Sequence, residues 1–187
     1  MTHHWCDTID QQQGVCKTVE RILVLGPSGA GKSTLAKALG KRLGVEIIHL
    51  DSYYWQPHWT STPPEEWDEQ LKVLLERDSW VMDGNYPASL PLRMEYADTV
   101  VFLDRGRLQS LLRCVRRFLK YRGQSRPELA PGCNEKIDGD FLKWIWNYPR
   151  DVKPTIMEAL EDQSETTVVI LKTDGEIARF LAEQEAA

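Results

Sequence analysis

The chain has 187 residues, of which 42% are hydrophobic and 27% are charged. This balance is that of an ordinary globular domain, and it excludes a collagen, a disordered chain and a small disulfide-rich scaffold. The net charge of −5 argues against a nonspecific nucleic-acid binder. The charge is nevertheless uneven, because residues 105–126 carry eight basic side chains and no acidic one.

The first part of the chain, residues 1–18, is polar and predicts a flexible leader before a single domain over residues 19–187. It lacks the basic start and the apolar stretch of a signal peptide. No apolar run approaches the roughly 18 residues that a membrane span needs. The four cysteines show neither a Cys-x-x-Cys pair nor the spacing of a zinc site. These features predict a cytoplasmic protein with free thiols and no membrane partner.

Five short apolar runs predict the strands of a mainly parallel sheet. They are residues 22–25, 45–50, 80–82, 99–103 and 166–171. Apolar residues at helical spacing lie between them, from residues 32–43 in the first interval to residues 174–183 after the last strand. Because strands alternate with helices, the sequence predicts a three-layer α/β fold with right-handed crossovers.

A glycine-rich motif follows the first predicted strand and opens the first predicted helix. Residues 26–33 read GPSGAGKS, which matches the phosphate-binding pattern G-x-x-x-x-G-K-[ST]. The glycines let phosphate oxygens approach the backbone, while loop N–H groups and the helix N-terminus face the anion. In this pattern Lys32 bridges the β- and γ-phosphates and the Ser33 hydroxyl binds Mg²⁺. The predicted nucleotide-binding residues are Gly26, Pro27, Ser28, Gly29, Ala30, Gly31, Lys32, Ser33 and Thr34.

Two aspartates stand at the carboxyl ends of predicted strands, where ligands bind in a parallel sheet. Asp51 follows the second strand and Asp83 follows the third. We expect Asp83 to hold Mg²⁺ together with Ser33, and Asp51 to orient an attacking hydroxyl or accept its proton. Each aspartate could instead only cap the element that follows it. Asp104 also ends a strand, and we expect it to be a cap or a hinge because a third carboxylate would repel the phosphates.

The basic segment predicts a helix with two unlike faces. The apolar stripe consists of Leu108, Leu111, Leu112, Val115, Phe118 and Leu119. The basic side consists of Arg113, Arg116, Arg117 and Lys120, and Arg122 and Arg126 continue it. Such a face can clamp nucleotide phosphates as a lid over about residues 113–136, because arginines stabilise the charge of a transferring phosphoryl group. The open alternatives are a solvated cationic face and a contact with nucleic-acid phosphates.

An aromatic run follows Asp51. It consists of Tyr53, Tyr54, Trp55 and Trp59. The run predicts either a surface on which a flat substrate stacks or a local hydrophobic plug, and the sequence favours neither. Tyr54 is its candidate substrate contact.

Together these residues resemble the small P-loop kinases related to adenylate kinase, and most closely the group labelled DNA topology modulation proteins. The resemblance spans about residues 22–148 and is carried by GPSGAGKSTLAKAL (26–39), HLDSYYW (49–55), WVMDGNY (80–86), LPLR (90–93), VVFLD (100–104), LLRCVRRFLKYRGQSRPE (111–128) and GCNEKIDGDFLKWIW (132–146). It implies the nucleoside monophosphate kinase fold with a lid after the basic helix. Asp83-Gly84 stands where adenylate kinases carry Asp-Gly-Phe-Pro-Arg. This implies that Asp83 serves Mg²⁺ and makes Arg93 a candidate contact to the acceptor phosphate.

The acceptor side departs from adenylate kinase. Asp51-Ser52-Tyr53-Tyr54 resembles uridine kinase, in which the acceptor is a hydroxyl, and the Asp-Gly pair continues as Asn85-Tyr86. The resemblance therefore implies an ATP- and Mg²⁺-dependent phosphotransferase acting on a small molecule or a nucleotide. Its expected catalytic residues are Lys32, Asp51, Arg113, Arg117 and Arg126. The alternative is a regulatory nucleotide-binding protein that contacts DNA through the basic helix, and the sequence predicts no oligomeric state.

Overall fold

The structure is a computed structural model that describes residues 20–161 and 166–184. The predicted leader, residues 1–18, lies outside the described residues. The strands are β1 (Arg21–Leu25), β2 (Glu46–His49), β3 (Trp55–Gln56), β4 (Thr60–Ser61), β5 (Trp80–Asp83), β6 (Thr99–Leu103) and β7 (Thr167–Leu171). The helices are α1 (Lys32–Leu43), α2 (Leu50–Tyr54), α3 (Pro64–Leu75), α4 (Leu90–Tyr96), α5 (Arg107–Tyr121), α6 (Gly139–Asp151), α7 (Lys153–Glu161) and α8 (Asp174–Glu183).

Five strands form one parallel sheet in the order β2-β5-β1-β6-β7, and this confirms the predicted sheet. β3 and β4 pair separately as a short antiparallel hairpin. The strand order changes direction around β1, because β5 lies on one side of it and β6 on the other. In an open parallel sheet, ligands bind at the carboxyl ends of strands beside such a point.

The central strand is buried on both faces, as its unbroken apolar run predicts. On β1, Leu23 and Leu25 pack into one hydrophobic cluster, and Ile22 and Val24 pack into a second cluster on the opposite face. Both clusters hold helix residues as well as strand residues, so the fold has three layers. Because β1 is packed on both faces, the loop that follows it begins from a rigid position at the carboxyl end of the central strand.

Helix α5 turns its polar side towards the protein. Ser110 and Cys114 on its inner side are buried, whereas Leu108, Leu112 and Leu119 on the apolar stripe are exposed. Hydrophobic periodicity ordinarily places the apolar side of a helix inwards. Here the inner side lies against the phosphate-binding loop, where small and polar side chains are needed.

Candidate active site

The phosphate-binding loop adopts a backbone that requires glycine at three positions. Gly26, Gly29 and Gly31 have φ angles of 139°, 80° and 102°, in the region that side chains disfavour. A Cβ atom on Gly29 would lie 2.3 Å from the Ser110 carbonyl oxygen, and one on Gly26 would lie 2.6 Å from the Leu103 carbonyl oxygen. The loop therefore sits tightly between the sheet and α5, and α1 begins directly after it.

Lys32 is the first residue of α1, and its side chain reaches back over this loop. Its ammonium donates hydrogen bonds to the carbonyl oxygens of Gly26 and Pro27, at 2.9 and 3.1 Å. Desolvation lowers the pKa of Lys32, while the carboxylates of Asp83 and Asp51 act in the opposite direction. The predicted lysine and both predicted carboxylates are thus close enough to interact.

Ser33 and Asp83 meet at the position predicted for the metal. The Ser33 hydroxyl donates to one Asp83 carboxylate oxygen at 2.6 Å, and His49 Nδ1 lies 2.5 Å from the other. A hydroxyl and a carboxylate are the hard oxygen donors that Mg²⁺ takes, so these residues fit the ion. Within residues 20–161 and 166–184, no group of three or more His, Cys, Asp or Glu side chains could hold a metal. A magnesium ion here would therefore depend on nucleotide phosphates for further ligands.

Asp51 stands beside this pair and has a defined orientation. The Tyr86 hydroxyl donates to Asp51 Oδ1 at 2.7 Å. Burial and the Asp51 carboxylate raise the pKa of Tyr86, so the hydroxyl stays protonated and remains a donor. Asp51 lies in the first turn of α2, at the carboxyl end of β2. Within the described part of the chain, the other carboxylate oxygen of Asp51 has no hydrogen-bond partner.

Arg93 does not reach into the site. It is fully buried, and its guanidinium donates to the carbonyl oxygens of Gly84, Asn85 and Tyr86. Burial lowers its pKa to about 9, which leaves the group charged at neutral pH. The placement of Arg93 beneath residues 84–86 supports that loop. Contact with an acceptor phosphate stays a prediction that this geometry does not favour.

The loop that Arg93 supports also touches the phosphate-binding loop. The Gly26 amide donates to Asn85 Oδ1 at 3.1 Å. Gly84 has a φ of 143°, and a Cβ atom there would lie 2.9 Å from the Leu50 Cβ atom. The Asp-Gly-Asn-Tyr run thus connects the nucleotide side of the site to Asp51.

Two of the predicted lid arginines face the phosphate-binding loop from α5. Arg113 donates to the Ala30 carbonyl oxygen at 3.3 Å and to both carboxylate oxygens of Asp174, at 2.9 Å each. Arg117 is close enough to Lys32 to lower the lysine's pKa. Arg116, by contrast, is exposed. The basic side of α5 therefore divides into two inward arginines and an outward remainder.

A buried glutamate joins the segment after α5, residues 122–136, to α5. Glu135 accepts a hydrogen bond from Arg117 Nε at 2.7 Å, and its second oxygen lies 2.5 Å from Arg126 Nε. Its side chain is only 2% exposed. One carboxylate thus holds two of the predicted catalytic arginines in a fixed arrangement. The three arginines predicted to be catalytic, Arg113, Arg117 and Arg126, all form ion pairs with acidic side chains in the structure.

The segment after α5, residues 122–136, also contacts the β3–β4 hairpin. Trp59 Nε1 donates to the Asn134 carbonyl oxygen at 2.9 Å, and the His58 amide donates to the Gly132 carbonyl oxygen at 3.2 Å. His58 and Trp59 both have positive φ angles, which non-glycine residues adopt at a cost. These two hydrogen bonds hold the β3–β4 hairpin against residues 132–134.

Tyr54 is partly buried and packs against the hydrophobic core. Its ring lies 4.7 Å from Tyr86 and 5.1 Å from Trp67, measured between ring centroids. These contacts match the hydrophobic-plug alternative for this part of the aromatic run. Contact between Tyr54 and a substrate stays a prediction. Asp104, expected to be a cap or hinge, pairs with Lys153 at 2.8 Å.

Sequence reasoning missed several residues that organise this site. They are His49, Asn85, Tyr86, Glu135 and Asp174. Four of them lie within or beside the motifs that carry the resemblance, but neither periodicity nor spacing distinguishes them. Their partners come from other parts of the chain, as when Glu135 meets Arg117 and Asp174 meets Arg113.

No family model matches the chain. A protein of Bacillus subtilis, the uncharacterized protein YqaC, is 35% identical over 137 residues, covering 69% of this chain and 72% of YqaC. The chain belongs to the YqaC family. YqaC carries no described activity in its name, so this membership gives the chain relatives and not a reaction.

Two kinds of enzyme show more distant similarity to this member of the YqaC family. The tRNA dimethylallyltransferase of Chloroflexus aurantiacus is 30% identical over 120 residues, and this chain spans 39% of its length. Among solved structures, the shikimate kinase of Acinetobacter baumannii has a TM-score of 0.56 at 19% identity, covering 89% of this chain and 90% of that one. A gluconokinase of Sinorhizobium meliloti has a TM-score of 0.50 at 19% identity, with 90% of each chain covered. The two structural likenesses confirm the predicted three-layer α/β P-loop fold.

Proposed function

We propose that the protein is an ATP- and Mg²⁺-dependent phosphotransferase whose acceptor is a hydroxyl of a small molecule or nucleotide. The observation that carries this proposal is the meeting of Ser33 with Asp83 beside Lys32, with Asp51 on the same sheet edge. A nucleotide-holding loop alone would need no second carboxylate. A phosphoryl transfer needs one group for the metal side and one for the acceptor.

On the nucleotide side, Lys32 and the loop amides bind the β- and γ-phosphates. Ser33 and Asp83 would hold Mg²⁺, which neutralises charge that develops on the phosphates. Arg113 and Arg117 face the same loop, and they stabilise negative charge on the transferring group. Arg126 supports Arg117 through their shared partner Glu135.

On the acceptor side, Asp51 accepts the proton of the attacking hydroxyl. The hydroxyl oxygen forms a bond to the γ-phosphorus, and the bond from that phosphorus to the bridging oxygen of the diphosphate breaks. Tyr86 holds one oxygen of Asp51, which leaves the other to face the acceptor. The enzyme's contribution is thus positioning and charge stabilisation, with no covalent intermediate on the protein.

The structural likeness to kinases of small hydroxyl compounds supports this proposal. The alternative, a regulatory protein that contacts DNA through α5, receives less support. Arg113, Arg117 and Arg126 are paired with acidic side chains of the protein and face inwards. Only the outward residues, such as Arg116 and Lys120, remain for a duplex.

A transfer screen tests the proposal. ATP labelled on its γ-phosphate is incubated with Mg²⁺ and a panel of nucleosides, nucleotides and small hydroxyl metabolites. We expect at least one labelled product, and we expect Asp51→Asn to lose transfer by about 100-fold or more while it still binds ATP. A matched control, Asp68→Asn on the exposed side of α3, should leave transfer unchanged. Equal transfer by Asp51→Asn and wild type would contradict the assigned role of Asp51.

A further inference from the structure

Helix α5 exposes a continuous apolar stripe to solvent. Leu108, Leu112, Val115 and Leu119 are 68%, 59%, 40% and 66% exposed. Single exposed aliphatic residues are common on protein surfaces, but a row of four along one helix is not, and such patches mark interaction sites. The stripe lies on the side of α5 away from the phosphate-binding loop, so nucleotide binding does not explain it.

The spacing of the stripe is that of a coiled-coil seam. Its four residues follow one another at intervals of four, three and four. This is the alternation of a and d positions in a heptad, which packs one helix against another helix. The exposed row is only as wide as an a/d seam and narrower than the broad apolar face of other amphipathic helices, and this width favours a partner helix as the occupant.

The seam is complementary to a second copy of itself. In an antiparallel pair related by a two-fold axis, Leu108 faces Leu119 of the other copy and Leu112 faces Val115. Gln109 and Arg116 flank the seam on one edge and face each other across the axis. No like charges therefore oppose one another, although α5 carries only basic charged residues.

The neighbouring helix extends this surface. α6 packs beside α5, and the Arg107 guanidinium lies 5.5 Å from the centre of the Trp146 ring, next to Leu108. Trp146 is itself 45% exposed. Four side chains alone fall short of the roughly 800 Å² per partner that a stable interface buries. With α6 included, the two copies would meet as a bundle of four helices.

We propose that this face of α5 and α6 is the interface of a two-fold dimer of the chain. The proposal is independent of the phosphotransferase activity, because the stripe points away from the site. Equilibrium sedimentation of the full chain tests it. We expect a mass twice the 21.5 kDa of one chain for wild type, and 21.5 kDa for Leu112→Glu. Val73→Glu is the matched control, since Val73 is equally exposed on α3, and it should stay dimeric.

The edge residues test the antiparallel geometry. Gln109→Glu places two carboxylates opposite the two Arg116 side chains, and it should lower the dissociation constant about two- to five-fold. Gln109→Lys should raise it by a similar factor. A wild-type mass of 21.5 kDa at the highest attainable concentration would overturn the proposal, as would a dimeric Leu112→Glu that circular dichroism shows to be folded. Binding of monomeric wild type to phosphatidylserine vesicles, abolished by Leu112→Glu, would assign the stripe to lipid instead.

Discussion

At the scale of single residues, the buried guanidinium of Arg93 gives the site a support that no other residue type can provide. Its planar fork reaches three consecutive carbonyl oxygens, at residues 84–86. A lysine carries the same charge but cannot match this arrangement. We expect Arg93→Lys to lower the free energy of unfolding by about 2–4 kcal/mol, measured by urea denaturation.

The exposed arginine of α8 is the control for this substitution. Arg179→Lys keeps the charge and changes the same chemical group at an exposed position, and it should change stability by less than about 0.5 kcal/mol. A loss at Arg93→Lys no larger than that of the control would show that the carbonyl contacts contribute little.

Tyr86 should make stability fall at alkaline pH. Its pKa is raised in the folded protein, so above pH 10 the unfolded chain loses this proton while the folded chain keeps it. Stability is therefore retained below pH 10 and falls above it, by about 1.4 kcal/mol per pH unit for this group. We expect Tyr86→Phe to flatten the fall between pH 10 and 11.5, measured by denaturant titrations. The remaining slope combines buried Tyr148, whose raised pKa adds to the fall, with Arg93, whose lowered pKa acts in the opposite direction over this range.

The Tyr121→Phe variant controls for the loss of a hydroxyl outside the aromatic cluster. Its pH profile should follow wild type. If Tyr86→Phe also followed wild type, the hydrogen bond to Asp51 would not hold the Tyr86 proton as described.

At the scale of elements, Glu135 in the segment after α5 orients two arginines through ion pairs. Glu135→Gln leaves Arg117 and Arg126 charged but removes the carboxylate that fixes them. If the protein is the proposed phosphotransferase, kcat should fall about ten-fold or more while KM for ATP does not rise, because orientation is lost and charge is not. Steady-state kinetics checks this split.

A second glutamate in residues 122–136, Glu128, provides the control for Glu135→Gln. Glu128 pairs with Lys37 of α1, and its substitution by glutamine removes a carboxylate from the same segment while the ion pairs of Arg117 and Arg126 with Glu135 stay in place. Glu128→Gln should change kcat less than about two-fold. Equal effects of the two substitutions, or a rise in KM without a fall in kcat for Glu135→Gln, would contradict a positioning role.

Local pattern explains which elements could be predicted. The phosphate-binding loop is a contiguous motif, and the two aspartates were found because parallel strands end at a common edge. No helix or strand was predicted for the aromatic run after Asp51, yet this region forms the end of α2 and the β3–β4 hairpin, whose two-residue strands are too short to show a hydrophobic period. The outward turn of the apolar side of α5 was likewise not predictable, since amphipathicity does not say which partner a face meets.

The roles of Arg93 and Glu135 were beyond the sequence for a different reason. Each acts through partners that folding brings together, and Arg93 looked like an acceptor contact because its motif resembles that of a kinase. Its burial, visible only in the packed structure, directs it to backbone carbonyls instead.

At the scale of the whole molecule, ion pairs explain the uneven distribution of charge along the chain. The acidic remainder of the chain supplies Asp174 and Glu135, which form ion pairs with four arginines of the basic segment, namely Arg105, Arg113, Arg117 and Arg126. The same helix presents an apolar row to solvent. None of the helices in the described part of the chain has the length and apolar character needed to cross a membrane. α5 therefore serves the nucleotide side with one face and, in our proposal, a second copy of the chain with the other.

The most direct test of the account is γ-phosphate transfer by wild type and by Lys32→Ala, measured on the same acceptor panel with Mg²⁺ present. The Lys32 ammonium donates hydrogen bonds to loop carbonyls, and Lys32 is not part of the hydrophobic core, so the variant should fold as wild type does. We expect a labelled product with wild type and none above background with Lys32→Ala. Undiminished transfer by a folded Lys32→Ala would contradict it.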